Sequence, residues 1–335
     1  MKVLVTGGAG YIGSTTALAL EQAGHTPVIL DSLVAGPRVF VGDRIFYEGD
    51  IADRGLLQRI MTEHPDIECT IHMAALIVVP DSVTDPYLYY RENVAKSLEM
   101  FDELENLGKP RVLFSSSASV YAMPENGFEV REGDPTAPGS PYARTKLMME
   151  QVLVDLAAAS SLRALILRYF NPIGSDPGLT TGIYVREPSH VLGQLVQTAQ
   201  GLKEAFTITG VDHPTRDGTG IRDYIHVWDA ARAHVAAVEQ FDAALEKAGS
   251  TSLIMNLGTG NGVTVRELVS AFERVYGSSI KVLEAPPRPG DSVGAYASVA
   301  RVSDVLGWKA EHSIDEAIES ALAWGRQRKS ILGYD

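Results

Sequence analysis

Cysteine is nearly absent from this chain, whose 335 residues include only Cys69. A single thiol forms neither an internal disulfide nor a cysteine-based metal cluster, which excludes zinc fingers and disulfide-stapled secreted scaffolds. We therefore expect no metal site, and we expect the protein to work in a reducing, cytoplasmic compartment.

Positive charge and long apolar runs are also scarce. The 29 Lys and Arg residues are outnumbered by 42 Asp and Glu residues, which gives a formal net charge of −13. An acidic protein repels nucleic acid and anionic membranes, so any phosphate-bearing ligand has to be held by local donors. No apolar run approaches a membrane span, and the chain turns from Val5 into glycines without the apolar region of a signal peptide. These features predict neither a nucleic-acid nor a membrane partner.

The sequence does contain short β-branched segments that alternate with amphipathic ones. Its composition is that of a globular protein, with 45% hydrophobic and 21% charged residues, and its length exceeds what one core usually serves. The segments that resemble strands are 3–6, 27–30, 45–48, 70–73, 111–115 and 162–167. The alternation predicts right-handed βαβ units and an α/β fold with a Rossmann-type, doubly wound parallel sheet.

Helical periodicity is clearest in two segments. Apolar residues recur at steps of three and four from Val83 to Leu104 and again from Tyr142 to Leu156. Further helices are expected at 189–202, 224–237, 265–276 and 314–328, and further strands at 206–210 and 253–256. Prolines and glycines cluster after Asn171, which indicates that the chain leaves the sheet there to build a smaller lobe. The expected division is a first domain of 1–171, to which 223–258 returns, and a C-terminal lobe of 172–222 and 259–335.

Three glycines follow the first predicted strand and open the first helix. The spacing of Gly7, Gly10 and Gly13 lets the backbone turn tightly and aims the amides of a helix N-terminus at a pyrophosphate. Asp31 ends the second strand, where a carboxylate accepts hydrogen bonds from the adenosine ribose and repels a 2′-phosphate. The pattern predicts NAD rather than NADP as the cofactor.

Residues after the second and third predicted strands refine this cofactor site. Ser32 and Arg38 would soften the preference for NAD. Asp50 and Ile51 follow the third strand, where adenine would be read. An equally acceptable interpretation makes Asp50 a helix N-cap and Ile51 a core residue.

A tyrosine and a lysine four residues apart stand behind a run of three serines. Tyr142 and Lys146 share one helix face, and Ser115 to Ser117 end the fifth strand, at the edge where parallel sheets bind ligands. A phenol with a pKa of about 10 is a poor base at neutral pH, but a nearby ammonium and an oxidised nicotinamide both favour the phenolate. We therefore expect Tyr142 to remove a hydroxyl proton while hydride leaves the same carbon, with Ser117 hydrogen-bonded to the reacting oxygen.

Seven motifs spread over nearly the whole chain carry a family resemblance. They are GGAGYIG (7–13), SSSASVY (115–121), SPYARTK (140–146), LRYFNPIG (167–174), DGTGIRDYIHVWD (217–229), NLGTG (256–260) and RPGD (288–291). With these motifs the chain resembles the extended short-chain dehydrogenases/reductases, and within them the UDP-glucose (UDP-galactose) 4-epimerases. The resemblance implies a tightly held NAD that oxidises carbon 4 of the hexose and returns the hydride to its other face, so that no cofactor is consumed.

Matching positions imply roles for individual residues. Ser117, Tyr142 and Lys146 match the catalytic serine, tyrosine and lysine. The implied cofactor site consists of Gly7, Gly10, Tyr11, Ile12, Gly13, Asp31, Ser32, Asp50, Ile51, Met73, Ala74, Ala75, Asn93, Ser115, Tyr142, Lys146, Tyr169 and Pro172. The implied substrate site consists of Ser117, Tyr142, Asn171, His190, Val191, Thr207, Thr209, Arg222, Arg288, Asp291 and Ala295.

Several of these positions have a purely structural alternative. Asn93 matches an asparagine of the helix behind the cofactor, but a structural amide inside a helix would look the same. Arg222 and Arg288 match two arginines on the diphosphate, a bidentate role that suits a guanidinium, and their alternative is surface salt bridging. Tyr169 and Pro172 match residues near the nicotinamide, and both would also serve as core residues.

The chain departs from the family pattern at four positions. Ile77 replaces a lysine that contacts NAD in many epimerases, which predicts weaker retention of the cofactor. Thr209 stands where an aromatic residue often ends the strand at the uracil, so the choice of uridine over thymidine is less secure. His190 matches a bacterial variant in which histidine replaces asparagine, and it either touches the nucleotide or simply starts a helix. Ala295 occupies the position whose bulk excludes N-acetylhexosamines, which predicts a roomy sugar pocket.

The residues that follow Ser117 also bear on the other reactions of the family. The dehydratases carry an acidic pair after the serine or threonine, whereas Ala118 and Ser119 follow Ser117 here. An NAD-sensing protein without catalysis remains a further alternative, which the intact Ser117, Tyr142 and Lys146 disfavour. The resemblance also implies a homodimer formed through the helices within 83–107 and 142–156.

Overall fold

A seven-stranded parallel sheet forms the centre of the computed structural model, which describes residues 1–124, 127–287 and 293–334. The strands of this sheet are β1 (Lys2–Thr6), β2 (Thr26–Asp31), β3 (Ile45–Glu48), β4 (Ile67–His72), β5 (Arg111–Ser117), β7 (Arg163–Tyr169) and β12 (Ser252–Leu257). The other strands of the described residues lie outside it and are β6 (Glu129–Val130), β8 (Asn171–Ile173), β9 (Phe206–Thr209), β10 (Ile221–Arg222), β11 (Tyr224–His226), β13 (Val263–Thr264), β14 (Val282–Ala285) and β15 (Tyr296–Ala297). The spatial order is β12-β7-β5-β4-β1-β2-β3. The chain thus moves outward on one side of β1 and returns to build the other side from β4, which confirms the doubly wound fold.

The helices cover both faces of this sheet and fill the second lobe. They are α1 (Tyr11–Gln22), α2 (Arg54–Glu63), α3 (Val79–Thr84), α4 (Pro86–Tyr90), α5 (Lys96–Asn106), α6 (Pro141–Ala159), α7 (Val191–Ala199), α8 (Val227–Glu239), α9 (Phe241–Ala248), α10 (Val265–Tyr276), α11 (Ala300–Leu306) and α12 (Ile314–Leu332). None of the helices in the described ranges is both long and apolar enough to cross a bilayer.

The predicted strands of the sheet are present, with shifted ends. Val3, Leu4 and Val5 are fully buried, as expected for a strand covered by helices on both faces. The fourth strand ends at His72 rather than at Met73, so Met73 belongs to the loop beyond the sheet edge. The fifth strand continues to Ser117, which places all three serines on the sheet.

The long apolar stripe that begins at Val83 is not one continuous helix. Asp85 caps α4 and Pro86 starts it, so α3 and α4 are separate, and a π-helical turn at Arg91–Ala95 joins α4 to α5. As a consequence Val83 and Tyr87 are 64% and 73% exposed, and only the later part of the stripe enters the core.

The chain leaves the sheet after β7 and returns to it at β12. β12 pairs with β7 along its whole length, and α8 packs on α1 through buried alanines and leucines. The expected helix at 224–237 is partly wrong, because its first three residues form β11, which pairs in parallel with β8. The second lobe has its own apolar core, in which Leu195, Phe206 and Phe272 are buried between α7, β9 and α10.

Two histidines are enclosed in the first domain as neutral rings. Burial lowers the pKa of His72 to about 3 and that of His234 to about 4. His72 lies between the hydroxyls of Thr6 and Ser97, each 2.8 Å from a ring nitrogen. His234 donates from Nδ1 to the Ala230 carbonyl oxygen, 2.7 Å away, and its Nε2 accepts from Ser115 Oγ at 2.9 Å.

We expect the free energy of unfolding to decrease as the pH is lowered from 6.5 to about 4.5. In that range the unfolded chain protonates histidines, whose ordinary pKa is about 6.5, whereas the folded chain keeps His72 and His234 neutral. Urea unfolding at pH 7 and pH 5 measures this slope. His234→Gln, which preserves both kinds of hydrogen bond, should reduce the loss by about 2 kcal/mol. His213→Gln, at a half-buried position of the second lobe, is the control, and an unchanged slope in His234→Gln would contradict the prediction.

Candidate active site

Two of the three glycines in the first loop are required by close approaches of the backbone. Gly7 has φ +73°, and a Cβ there would lie 2.6 Å from the Ala74 amide nitrogen. A Cβ at Gly13 would overlap the Gly7 carbonyl oxygen. Among the described residues no side chain caps α1, so the amides of its first turn are available to an anion. The loop therefore fits a pyrophosphate.

Asp31 lies beside this loop with both carboxylate oxygens oriented by backbone amides. The Ala9 amide donates to Oδ2 over 2.9 Å and the Leu33 amide donates to Oδ1 over 2.8 Å. Each oxygen retains a lone pair for a further donor, such as a ribose hydroxyl. Ser32 follows directly, and Leu33 turns the chain in a left-handed conformation with φ +57°. This acceptor-only site fits the ribose of NAD and repels a 2′-phosphate.

The structure describes the protein contacts of Asp50 and Ile51, while their contact with adenine stays a prediction. The cap of α2 is Asp53, whose Oδ1 accepts from the Leu56 amide over 3.0 Å, so Asp50 is not the N-cap. Asp50 instead accepts from the Ala52 amide and from Lys96, a partner that the sequence did not suggest. Ile51 is buried in the core beside α2, as its structural interpretation expected.

Asn93 fastens the loop that follows β4. Its Oδ1 accepts from the Leu76 amide over 2.8 Å, and its Nδ2 donates to the Leu76 carbonyl over 2.9 Å. The same Nδ2 donates to Thr145 Oγ1 on α6 over 3.1 Å. The side chain therefore has a structural role in holding the segment of Met73, Ala74 and Ala75, beside which a Cβ at Gly7 would have no room.

Tyr142 and Lys146 are both buried on the first turns of α6. Ser140 caps this helix, with its Oγ accepting from the Ala143 amide over 3.2 Å. Lys146 Nζ donates to the Ser115 carbonyl oxygen over 2.8 Å and lies 4.9 Å from the centre of the Phe114 ring. Burial lowers the pKa of Lys146 to about 8, although the Glu150 carboxylate opposes this shift. The lysine is thus fixed at the end of β5.

Burial, rather than the lysine, dominates the acidity of the tyrosine. It raises the pKa of Tyr142 to about 12, and a hydrogen bond with Ser117 partly opposes it. Lys146 is not among the groups that lower this pKa, so the expectation that Lys146 and an oxidised nicotinamide together make Tyr142 a base stays a prediction. Ser117 Oγ also accepts hydrogen bonds from the Ser119 amide over 3.2 Å and from the Ser119 hydroxyl over 2.9 Å. Its own proton is therefore left to donate to the phenol oxygen of Tyr142.

The expected nicotinamide and sugar residues surround the end of β7 and the start of β8. Burial and the neighbouring Tyr142 raise the pKa of Tyr169. Asn171 and Pro172 follow it in β8, and the Asn171 amide donates to the Asp223 carbonyl over 3.0 Å. Ala295 packs in an apolar cluster with Ala118, the residue after Ser117. Ala295 and the residue after Ser117 thus pack against the same apolar cluster.

The expected nucleotide residues lie on α7, β9 and β10. His190 caps α7, its Nδ1 accepting from the Gly193 amide over 3.2 Å, while its buried Nε2 has no partner among the described residues. Val191 opens α7, and Thr207 and Thr209 lie on β9. Arg222 Nη1 donates to the carbonyls of Ile221 and Val293, both over 2.7 Å. Arg288 and Asp291 lie outside the described residues.

Comparison with known proteins identifies the family. Residues 3–258 match the model of the NAD dependent epimerase/dehydratase family. A protein named UDP-glucose 4-epimerase from Azospirillum brasilense is 42% identical over 334 residues, covering 99% of this chain and 94% of that protein. The chain belongs to the NAD dependent epimerase/dehydratase family.

Solved structures of this family superpose on the whole chain. A UDP-glucose-4-epimerase from Stenotrophomonas maltophila with bound NAD and formylated UDP-arabinopyranose is 38% identical, with a TM-score of 0.92 over 98% of this chain and 99% of that one. A UDP-glucose 4-epimerase from Bifidobacterium longum with NAD⁺ and UDP is 34% identical, with a TM-score of 0.90 over all of both chains. As in the family description, NAD is the cofactor of this enzyme.

A buried ion pair beside Ser116 was not predicted from the sequence. Arg168 donates from Nε and Nη2 to the two oxygens of Glu150, over 2.9 and 2.6 Å, and the side chains are 4% and 2% exposed. Ser116 Oγ also donates to Glu150, and the Arg168 guanidinium lies 4.8 Å from the Tyr121 ring centre. Glu150 stands four residues after Lys146, a helical spacing that would have identified one partner.

We expect Glu150→Gln to lower the free energy of unfolding by about 3–5 kcal/mol, because it leaves the Arg168 charge buried without a counter-charge. The double variant Glu150→Leu with Arg168→Met removes both charges and should lose much less stability. Urea unfolding measures both. Glu204→Gln breaks the exposed pair with Lys281 and is the control that should leave stability unchanged. A Glu150→Gln variant as stable as the control would contradict the prediction.

Proposed function

We propose that this enzyme interconverts UDP-glucose and UDP-galactose by transient oxidation at carbon 4 of the hexose. The observation that carries the proposal is the cluster of Ser117, Tyr142 and Lys146 beside an NAD-type glycine loop. Full-length similarity to proteins named UDP-glucose 4-epimerase supports it.

The division of labour follows from the contacts of each side chain. Bound NAD⁺ supplies a hydride acceptor for carbon 4 and a positive charge that favours the phenolate of Tyr142. Tyr142 takes the proton of the carbon-4 hydroxyl, and Ser117 hydrogen-bonds the same oxygen. Lys146, fixed on the Ser115 carbonyl, contributes positive charge at the base of the site. Tyr142 then returns the proton when the other face of the sugar is reduced.

The remaining residues bind the two ligands. For the dinucleotide we propose the amides of Gly10 to Gly13, Asp31 and Ser32 at the ribose, Asp50 and Ile51 at adenine, and Met73 to Ala75, Tyr169 and Pro172 at the nicotinamide. For the nucleotide sugar we propose Asn171, His190, Val191, Thr207, Thr209, Arg222, Arg288 and Asp291. The unpartnered Nε2 of His190 supports a ligand contact, because a buried donor without an acceptor is costly.

Dehydration is a poorer fit to the same site. Ser119 is spent on Ser117, and Ala118 packs in the apolar cluster with Ala295. Neither side chain offers the carboxyl group that elimination of water from the sugar would require.

We further propose that the enzyme is a homodimer and is located in the cytoplasm. We also propose that the first domain, 1–171 with 223–258, binds NAD and that the C-terminal lobe, 172–222 with 259–335, binds the nucleotide sugar. The apolar side chains of Val83, Tyr87, Leu98 and Met148 are 64%, 73%, 42% and 43% exposed on or next to the two expected helices, which supports a dimer that light scattering would detect. A chain with the single cysteine Cys69, and hence with no internal disulfide, fits a reducing cytoplasm.

The reaction is tested by incubating the purified enzyme, without added NAD, with UDP-galactose, UDP-N-acetylgalactosamine and dTDP-glucose in turn. Chromatographic detection of the UDP-hexose epimer is expected. Tyr142→Phe should bind NAD and UDP as the wild type does but lose about 10²–10⁴-fold in turnover, because the proton acceptor is gone. Conversion only after NAD is added would indicate weak retention through Ile77. No epimer in either case, with NAD bound, would overturn the proposal.

The sugar range is tested at Ala295. Because the side chain of Ala295 is only a methyl group, we expect room for an acetamido group and turnover of UDP-N-acetylgalactosamine beside UDP-galactose. Ala295→Tyr should reduce the ratio of UDP-N-acetylgalactosamine turnover to UDP-galactose turnover at least tenfold by filling that space. Ala295→Gly is the matched control and should keep the ratio. An unchanged ratio in the tyrosine variant would exclude Ala295 from the sugar pocket.

A further inference from the structure

A segment of the second lobe lies across the start of the cofactor helix. We call residues 174–186, between β8 and α7, the strap. The Tyr11 hydroxyl donates to the Gly174 carbonyl oxygen over 2.7 Å, and the hydroxyls of Thr15 and Thr181 are 2.8 Å apart. Both contacts join the first two turns of α1 to the strap.

The strap is held by internal hydrogen bonds although it contains no helix or strand. Asp176 is fully buried, and its carboxylate accepts backbone hydrogen bonds from Gly178 at 2.9 Å, Thr180 at 2.7 Å and Thr181 at 2.6 Å. Ser175 closes the same loop by donating to the Thr181 carbonyl oxygen.

The C-terminal helix α12 supports the strap from behind. Trp324 Nε1 donates to the Ile183 carbonyl over 2.9 Å, and Gln327 Nε2 donates to the Leu179 carbonyl over 3.1 Å. A Cβ at Gly182 would lie 2.6 Å from the Trp324 indole, so the backbone packs directly on that ring. Gly182 and Ile183, the two residues before Tyr184, are therefore held against α12.

Tyr184 packs on the short helical turn that follows Asp31 along the chain. Its ring meets Phe40 edge-on at 5.9 Å, and Phe40 contacts Trp324 at 5.8 Å. Phe40 belongs to the short helical turn Arg38–Val41 that follows Asp31 along the chain. Burial and the nearby Asp31 carboxylate raise the pKa of Tyr184, so the phenol stays neutral. Its hydroxyl makes no hydrogen bond to another described residue.

We propose that Tyr184 completes the adenosine-ribose site at Asp31, so that the dinucleotide is held between the two lobes and a 2′-phosphate is excluded. An ionised Asp31 only accepts hydrogen bonds, whereas a ribose hydroxyl both donates and accepts. A neutral phenol supplies the donor that the carboxylate lacks. Its ring would also add bulk beside that ribose, which disfavours a 2′-phosphate. The inference rests on the proposed NAD-dependent function and adds a residue that the cofactor motif does not contain.

The test is cofactor binding rather than turnover. NAD bound per chain after gel filtration, and the Kd values of NAD and NADP for the stripped protein, are measured for wild type, Tyr184→Phe and Tyr184→Ala. We expect Tyr184→Phe to weaken NAD about two- to tenfold, as for one lost hydrogen bond. Tyr184→Ala should lose more and should narrow the preference for NAD over NADP. Tyr87→Phe, which removes an exposed hydroxyl, is the matched control.

A double-mutant cycle with Asp31→Asn separates a shared ligand contact from a general loss of packing. If both groups bind one ribose, the effects of Asp31→Asn and Tyr184→Phe on the Kd of NAD are not additive. Wild-type affinity in both Tyr184 variants, with an unchanged preference for NAD, would overturn this inference alone. A wild-type enzyme that binds no NAD would overturn the proposed function together with it.

Discussion

The docking of α6 on the carboxyl end of β5 is the contact on which the candidate active site depends. Lys146 is 3% exposed, and burial of an ammonium is costly unless its protons find acceptors. The Ser115 carbonyl provides one over 2.8 Å. One turn later Glu150 receives the Ser116 hydroxyl and the Arg168 guanidinium, so the same helix is fastened to β5 and β7. Because Tyr142 stands on that helix, its distance from Ser117 is set by these anchors.

The same helix, α6, is also connected by hydrogen bonds to the loop that follows β4. Thr145 Oγ1 donates to the Tyr142 carbonyl and accepts from Asn93, which in turn holds both backbone groups of Leu76. A displacement of α6 would therefore move the loop after β4 as well as the base. On the opposite side Ser115 Oγ reaches His234 of α8, the helix that packs on α1. Cofactor loop, base and serine thus share one set of buried hydrogen bonds.

Local patterns in the sequence were enough for the parts of the fold and site that depend on short spacings. Gly7, Gly13 and the Tyr142–Lys146 pair were found because a turn or one helical step relates their positions. The Arg168–Glu150 pair was not predicted, since it joins a strand to a helix. Many other pairs of opposite charges have a similar separation in the sequence. Tyr224 was placed in a helix because β11 is only three residues long and depends on β8, far away in the chain. Its pairing is a tertiary effect that periodicity does not contain.

The electrostatics of the site explain why the base and the cofactor have to act together. With a pKa of about 12, Tyr142 keeps its proton at neutral pH, and the Ser117 hydrogen bond alone does not offset its burial. Lys146, whose pKa is lowered to about 8, is already committed to the Ser115 carbonyl. The remaining positive charge has to arrive with the oxidised cofactor. A bound, oxidised nicotinamide would supply that charge, so we expect Tyr142 to act as a base only with the dinucleotide in place.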